Sequence, residues 1–354
     1  MKKHIILTRV LCILLSLVLV TALLWAAGRM LEPKYVTVSP EGSLTAEYYA
    51  DAAEVSHDVV FIGDCEVYEA FIPAVLWTDF GISSCVRGSA QQLVWQSYAM
   101  LEDTLRYETP KVVVFNVLSL KYGTPQNEAF NRMTLDGMEW SSVKADAVRA
   151  SMTDDETFLT YLLPALRFHS RLTELSAEDF RYAFAAKPTV SDSGYLMQTG
   201  VVPADPAVDN EALKPLLTDP SLPASAMEWL DRMTALCKER GITLILVKSP
   251  TNTWKYWWYD EWDAQVADYA AAHSLAYFNF IPDADKIGLD MSTDTYDGGI
   301  HLNVSGAEKL TRYFGHILTA TCDLPDRRTD DAYAPVWDRR ANVYEQRKTE
   351  RKSS

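Results

Sequence analysis

Short apolar runs alternate with stretches of helical periodicity along most of the chain. Asp58-Val-Val-Phe-Ile-Gly63 is a β-branched run closed by glycine, and similar runs recur at Ile82–Val86, Lys111–Leu118, Ile242–Val247 and Leu275–Phe280. Runs this short, apolar throughout and bounded by turn formers, fit strands buried on both faces, as in a parallel sheet. Periodic stretches lie around them: Ala46–Val55 before the first, Gln91–Arg106 between the second and third, Ser225–Arg240 and Glu261–His273 before the fourth and fifth, and Gly306–Thr319 after the fifth. The last opens on Ser305 with Glu308 three residues on, the pattern of a capping box. The pattern predicts an α/β fold, a doubly wound, mainly parallel five-stranded sheet built from βαβ units.

The third and fourth runs are separated by far more chain than a crossover needs. Thr153…Glu156 and Ser176…Asp179 have the form of helix starts, so residues 124–224 are expected to be a largely helical insertion, with Pro203–Pro223 a long surface connection. The tail, 325–354, is polar and rich in Asp and Arg and is expected to be poorly ordered.

At the other end, Lys2, Lys3, His4 and Arg9 precede an apolar run from Val10 to Gly28, broken only by Ser16 and Thr21. At about 1.5 Å per residue such a run crosses a bilayer core of roughly 30 Å. Residues 10–28 are therefore expected to be a transmembrane signal-anchor, with 1–9 cytoplasmic by the positive-inside rule. Residues 30–44, with Pro33, Pro40 and Gly42, follow as an extended stalk, and 45–324 form the α/β domain beyond the membrane. Ala26-Ala27-Gly28 is a poor cleavage site, and the length of the run favours an uncleaved anchor. The expected location is the cell membrane, single-pass, with an extracytoplasmic domain and the bilayer as partner.

Composition narrows the functions. Hydrophobic residues make up 48% of the chain and aromatics 11%, ample for a packed core. The formal charge is −15 with no long basic run, which argues against a nucleic-acid partner. Of the cysteines, Cys12 falls in the apolar run, while Cys65, Cys85, Cys237 and Cys322 show neither a CxxC nor a metal-ligand spacing. No phosphate-cradling glycine loop stands out, so no cofactor or metal is implied.

In open α/β sheets ligands bind beyond the carboxyl ends of the strands. The polar residues there are Asp64-Cys65-Glu66 after the first, Arg87-Gly88-Ser89 with Gln91 and Gln92 after the second, Asn116 and Ser119 at the third, Lys248-Ser249 at the fourth, and Asp294, Asp297 and His301 past the fifth. A thiol nucleophile needs a base, for which the His301 imidazole is suited, and a carboxylate to orient that base, for which Asp297 is preferred and Asp294 held in reserve. Asp64 and Glu66 oppose ionisation of the thiol. Set against this, Cys65 is equally a small buried residue or half of a disulfide with Cys85, and Asn116 a paired strand amide. His57, His169, His273 and His316 lack such context and are expected to be structural or exposed.

These blocks, in this order, resemble the SGNH/GDSL hydrolase superfamily. Phe61-Ile-Gly-Asp-Cys-Glu66 matches the nucleophile block, with Cys65 where the family has serine; Gly88 and Asn116 match the next two. Asp297-Gly-Gly-Ile-His301 stands for the last block, normally Asp-x-x-His, with one residue more. The resemblance implies a flavodoxin-like sheet and a catalytic set of Cys65, His301 and Asp297. It also implies an oxyanion hole from the backbone N–H groups of Cys65 and Gly88 with the Asn116 amide. Asp64, Arg87, Ser89 and Gln91 become candidate substrate contacts. So do Trp254 and Trp257 of the aromatic run Trp254–Trp262, although packing is the preferred role of that run.

The anchored form resembles extracytoplasmic proteins that assist D-alanylation of teichoic acids or O-acetylation of alginate. That implies an esterase or acyltransferase acting on O-acyl groups of a cell-envelope glycan or glycopolymer, through an acyl-enzyme on Cys65 and alongside a membrane-bound acyltransferase. The cysteine and the longer spacing sustain a second expectation, a non-catalytic glycan-binding or acyltransferase-docking protein with a degenerate site.

Overall fold

All five apolar runs form strands, β1 (Val59–Gly63), β2 (Ser84–Gly88), β3 (Val112–Asn116), β4 (Thr243–Lys248) and β5 (Ala276–Asn279). They are seen in a computed structural model that describes residues 2–33, 42–183, 189–205, 218–251 and 258–353. Every pairing is parallel and the order is β2-β1-β3-β4-β5. Winding reverses between β1 and β3, and the crevice at their carboxyl ends is the switch point at which doubly wound sheets hold ligands.

The helices are α1 (Lys2–Leu31), α2 (Ser43–Glu54), α3 (Cys65–Tyr68), α4 (Pro73–Phe80), α5 (Val94–Thr104), α6 (Glu128–Leu135) and α7 (Ser142–Ser151). They continue with α8 (Phe158–Leu162), α9 (Pro164–Arg167), α10 (Ala177–Tyr182), α11 (Ala224–Arg240), α12 (Asp260–His273), α13 (Ala284–Ile287), α14 (Val304–Thr321) and α15 (Ala334–Ser353). The chain divides into two units: residues 1–40 with 152–188, and residues 41–151 with 189–354.

The second unit holds the sheet. Its core on one face is seated by Phe61 of β1, stacked 4.6 Å from Phe71, with Phe314 of α14 at 5.5 Å from Phe71 and Phe280 at 5.7 Å from Phe314. Val304, Ala307, Leu310, Phe314 and Leu318 form the buried stripe of α14, the recurrence at three to four residues that lays one helix face on a sheet. The cap of this helix differs from expectation. Asn303, not Ser305, is the N-cap, its side chain accepting from the N–H groups of Ser305 at 3.0 Å and Gly306 at 3.2 Å. The helix begins before Ser305, which frees Glu308 to accept from Tyr344 and Lys348 of α15.

The insertion is not one helical body. α6 and α7 pack within the second unit, tied by Asn131 Nδ2 donating to the Ser151 carbonyl at 2.7 Å and Gln96 Nε2 donating to Asn131 Oδ1 at 2.9 Å. Residues 152–188 belong to the first unit. Residues 189–205 return as an extended strap: Val86 N–H donates to Ser193 O at 2.9 Å and Leu196 N–H to Tyr68 O at 2.7 Å. The start signal at Ser176 does cap α10, whereas Thr153 and Glu156 close a turn ahead of α8, which opens only at Phe158; neither signal could reveal which unit its piece would join.

The expectation of a poorly ordered tail is overturned. α15 buries Trp337 against Trp77, centroids 5.9 Å apart, and buries Tyr344 as well. Arg327 grips Asp58 with two N–H donors at 2.9 and 3.0 Å. Averaged over the tail, composition is polar; a few large anchors on one helix face still suffice to dock it.

In the first unit, α1 contains a span, Ile5–Leu31, long and apolar enough to cross a membrane. The predicted stalk is helical at both ends, since α1 runs to Leu31 and α2 opens at Ser43; residues 34–41 lie outside the described residues.

Candidate active site

The β1 strand delivers its chain straight into α3, whose first residue is Cys65. Asp64 caps that helix, its Oδ1 accepting from Glu66 N–H at 3.0 Å, so the turn holds Cys65 at the carboxyl edge of the sheet. His301 comes from the loop before α14. Its Nε2 lies 2.9 Å from Cys65 Sγ, and its Nδ1 donates to Asp297 Oδ2 at 2.6 Å. A carboxylate can only accept, so this bond fixes a proton on Nδ1 and turns Nε2 toward the sulfur.

The added residue in the Asp-to-His spacing is absorbed by the loop. Gly298 and Gly299 have φ of 82° and 93°, conformations open to glycine at no steric cost. They curl the chain so that Asp297 Oδ1 accepts from the backbone N–H of Ile300 at 3.2 Å and of His301 at 2.8 Å. The loop is fastened on both sides: Gly298 N–H donates to Val202 O at 3.0 Å, and Thr251 Oγ1 donates to Ile300 O at 2.8 Å. Asp294, the reserve acid, is engaged elsewhere, 2.6 Å from Lys309 Nζ.

A second carboxylate, not anticipated from the sequence, faces the same ring. Glu69 Oε2 lies 4.0 Å from His301 Nδ1, and Glu69 accepts from Tyr296 Oη at 3.0 and 3.1 Å and from Gln198 Nε2 at 3.1 Å. Its position four residues after Cys65, on the turn that leaves α3, is the one signal that might have marked it. Beneath the nucleophile, Glu66 is buried in an ion pair with Lys248 Nζ at 2.7 and 2.8 Å.

Asn116 joins that buried network. Its Nδ2 donates to Glu66 Oε2 and to Ser249 Oγ, both at 3.2 Å, and its Oδ1 accepts from Leu118 N–H at 2.9 Å. The amide expected in the oxyanion hole is therefore engaged below the site. Gly88 packs on the nucleophile turn, where a Cβ would come within 3.3 Å of Tyr68 and 3.4 Å of the Asp64 carbonyl.

Two expected substrate contacts are displaced by burial. Arg87 is wholly enclosed, paired with Asp103 at 2.9 Å with its guanidinium 3.9 Å from the Tyr48 ring centroid. Ser89 is buried and bonded to Thr134 Oγ1 at 2.5 Å. Polar side chains on a buried strand turn to partners inside the protein when those are close. Asp64 and Gln91 do line the cleft. Trp254 and Trp257 lie outside the described residues; further along the same run, Trp258 and Tyr259 are buried.

Cys65 and Cys85 are both free. Cys85 pairs with Val60, early in β1, whereas Cys65 follows the end of that strand, so the two thiols sit toward opposite ends of the sheet. Potential ligand atoms of His57, Cys85 and Glu108 lie within 4.8 Å of one another. Glu108 is already satisfied there by the His57 ring, the His57 backbone N–H and Tyr48 Oη, which fits a buried hydrogen-bonded pair.

The cleft above Cys65 has a volume of about 240 Å³ and is lined by Tyr68, Leu118, Tyr122, Phe130 and Tyr296, together with Asp64, Glu69 and His301. Protons are held tightly here. Burial pushes the Cys65 thiol up to about 11, against the lowering effect of His301. Burial works against charge on His301, yet the Cys65 sulfur, Asp297 and Glu69 together raise it to about 11. Burial, reinforced by Glu66, lifts Asp64 to about 7, and burial also lifts Glu69. Asp297 is pushed upward by burial but more strongly held down by its hydrogen bonds to His301 and Ile300, so it stays ionised.

The sequence matches no family model and no curated protein. Among solved structures it is similar to a GDSL-like lipase from Bacteroides thetaiotaomicron VPI-5482, with 12% identity over 80% of this chain and 100% of that one and a TM-score of 0.36. It is similar also to a lipase/acylhydrolase from Enterococcus faecalis, with 10% identity over 76% of this chain and 99% of that one and a TM-score of 0.37. Likenesses this distant transfer no activity, and the case for the site stands on its own geometry.

Proposed function

We propose that the chain is an esterase or acyltransferase of the SGNH/GDSL type that carries its acyl group on Cys65. The observation that supports this reading is the line of contacts from Cys65 Sγ through the His301 ring to Asp297, at 2.9 and 2.6 Å, on the floor of an open cleft. In the step it permits, sulfur attacks the ester carbonyl while the thiol proton passes to His301 Nε2. Collapse of the tetrahedral adduct breaks the C–O bond, and the same proton goes to the leaving alkoxide. Water, or a hydroxyl of an acceptor, then cleaves the thioester. Asp297 stabilises the imidazolium and holds its orientation. With the Asn116 amide engaged by Glu66, oxyanion stabilisation falls to the backbone N–H groups of Cys65 and Gly88; one such donor is typically worth about 3–4 kcal/mol of barrier.

The substrate class follows from the cleft and the apolar helix. Tyrosine and phenylalanine walls offer flat faces to sugar rings, and α1 would keep the domain beside the membrane, near an envelope glycan or glycopolymer and a membrane-bound acyltransferase. Extracytoplasmic placement belongs to the same proposal.

One pair of observations favours a different reading, a glycan-binding or acyltransferase-docking protein whose site has lost chemistry: the thiol is raised by burial and the Asn116 amide is turned away. Both readings are tested with the detergent-solubilised full chain and p-nitrophenyl acetate. Under the first, intact mass shows an acetyl adduct that Cys65→Ala and His301→Ala abolish. Under the second, no variant and no wild type forms adduct or p-nitrophenol above background.

A further inference from the structure

α1 is exposed along its apolar length, Trp25 at 61% included, until its last turns, where Gly28 and Leu31 become buried. What covers them comes from the 152–188 segment of the same unit. Gly28 lies beneath the start of α9, with Pro164 and the Ala165 backbone 3.6 Å from where a Cβ would sit. Arg29 Nε donates to the Ala183 carbonyl at 3.0 Å, and the Arg171 guanidinium bonds both the Leu31 carbonyl and Asp179 Oδ1. Thus α9, the 3-10 turn His169–Thr173 and α10 form a collar around the end of α1, with α8 packed on α9.

Five large apolar side chains of this segment are open to solvent. Leu159, Leu162, Leu166, Leu172 and Phe180 are 56%, 46%, 44%, 64% and 58% exposed. Scattered single exposures of this kind are ordinary, but a cluster on short helices marks a surface with a partner. Position on the chain says which partner. If Val10–Gly28 crosses the hydrocarbon core, at about 1.5 Å per residue it fills a roughly 30 Å layer and leaves Gly28 at its boundary. Helices held against Gly28 therefore sit at the depth of the headgroups. Arg167, Arg171 and Arg181 are interspersed with these apolar residues in the sequence, alongside Glu174 and Glu178, so the segment carries long amphipathic side chains able to keep their charges at the headgroups while apolar neighbours reach inward.

We propose that α8, α9, the turn His169–Thr173 and α10 form a foot that lies in the membrane interface beside the exit of α1, with Leu159, Leu162, Leu166, Leu172 and Phe180 inserted among the lipid tails. The foot adds to the anchor a second, monotopic contact with lipid, and it rests on the reading of α1 as a membrane span.

The test reconstitutes the full chain in phosphatidylcholine–phosphatidylglycerol vesicles doped with a diazirine-bearing phosphatidylcholine, followed by irradiation and peptide mapping. Lipid adducts are expected both on peptides from 5–31 and on those carrying Leu159–Leu166 and Phe180. Adducts confined to 5–31 overturn the foot and leave the anchor standing. Adducts on neither segment overturn the anchor, and the foot with it. The combined variant Leu162→Glu, Leu166→Glu, Phe180→Glu changes exposed positions alone; adducts on the foot should fall at least fivefold while those on 5–31 persist. Unchanged adducts on the foot in that variant overturn the assignment of these side chains.

Discussion

In the proposed mechanism, the chemistry of Cys65, His301 and Asp297 is governed by how few charges can be held in the space they share. Burial lifts the thiol, and His301 is raised by the sulfur and two carboxylates. Acylation requires the Cys–His pair to release one proton. Both groups are shifted upward, so at neutral pH the pair is largely protonated and the competent form grows as pH rises. The rate of the p-nitrophenol burst is expected to climb from pH 7 toward 10, approaching tenfold per unit while the pair remains protonated; a flat profile over that range contradicts this. Below the site, Glu66 and Lys248 are buried together. Lys248→Met leaves a buried carboxylate without its counter-charge, a loss of about 3–5 kcal/mol, measurable as a lower urea midpoint. That pairing was not legible from local sequence. Glu66 and Lys248 stand far apart in the chain, and what joins them is the adjacency of β1, β3 and β4.

At the scale of elements, α14 and the loop before it act together. Asn303 caps the helix and also donates through Nδ2 to the carbonyls of Gly200 and Thr293 at 3.0 and 2.8 Å. Losing a cap costs about 1 kcal/mol. Asn303→Ala is expected to cost more than that in denaturant unfolding, because those carbonyls lose a donor, and to lower activity by loosening His301. A second element, α15, was expected to be disordered and instead buries Trp337 completely. Trp337→Ala should destabilise the second unit by about 3–5 kcal/mol. Calorimetry that shows no shift in Tm would mean α15 is a passenger. Strands were far easier to read than these helices. A strand buried on both faces is apolar at most of its positions, whereas a helix docked by two or three large side chains leaves most of its sequence free to be polar.

At the scale of the whole molecule, the two units place contrasting demands on their residues. The sheet unit buries most of its large apolar side chains; the other exposes apolar side chains along α1 and on the helices packed at its end. Removing the sequence beyond Leu324 from the full chain is expected to lower the Tm of the sheet unit, because the ion pairs of Arg327 with Asp58 and the packing of Trp337 on Trp77 are lost together. An unchanged transition in that truncation would contradict the role given to the tail.

Sequence by itself determined the five strands, the helices that alternate with them, the apolar span, and the placement of Cys65, Asn116 and His301 at or beyond strand ends, because these follow from local apolar periodicity and from which residues terminate each run. Tertiary structure alone decided which polar groups face the cleft. Arg87, Ser89 and Asn116 stand in the same strand-end blocks as Asp64 and Gln91, yet the first three are turned inward by Asp103, Thr134 and Glu66. It also decided that Glu69 approaches His301, that residues 152–188 leave the sheet unit for α1, and that the polar tail folds back on Trp77. Each outcome depends on a partner distant in the chain. A buried polar group goes wherever its hydrogen bonds can be made, and only the assembled fold determines where that is.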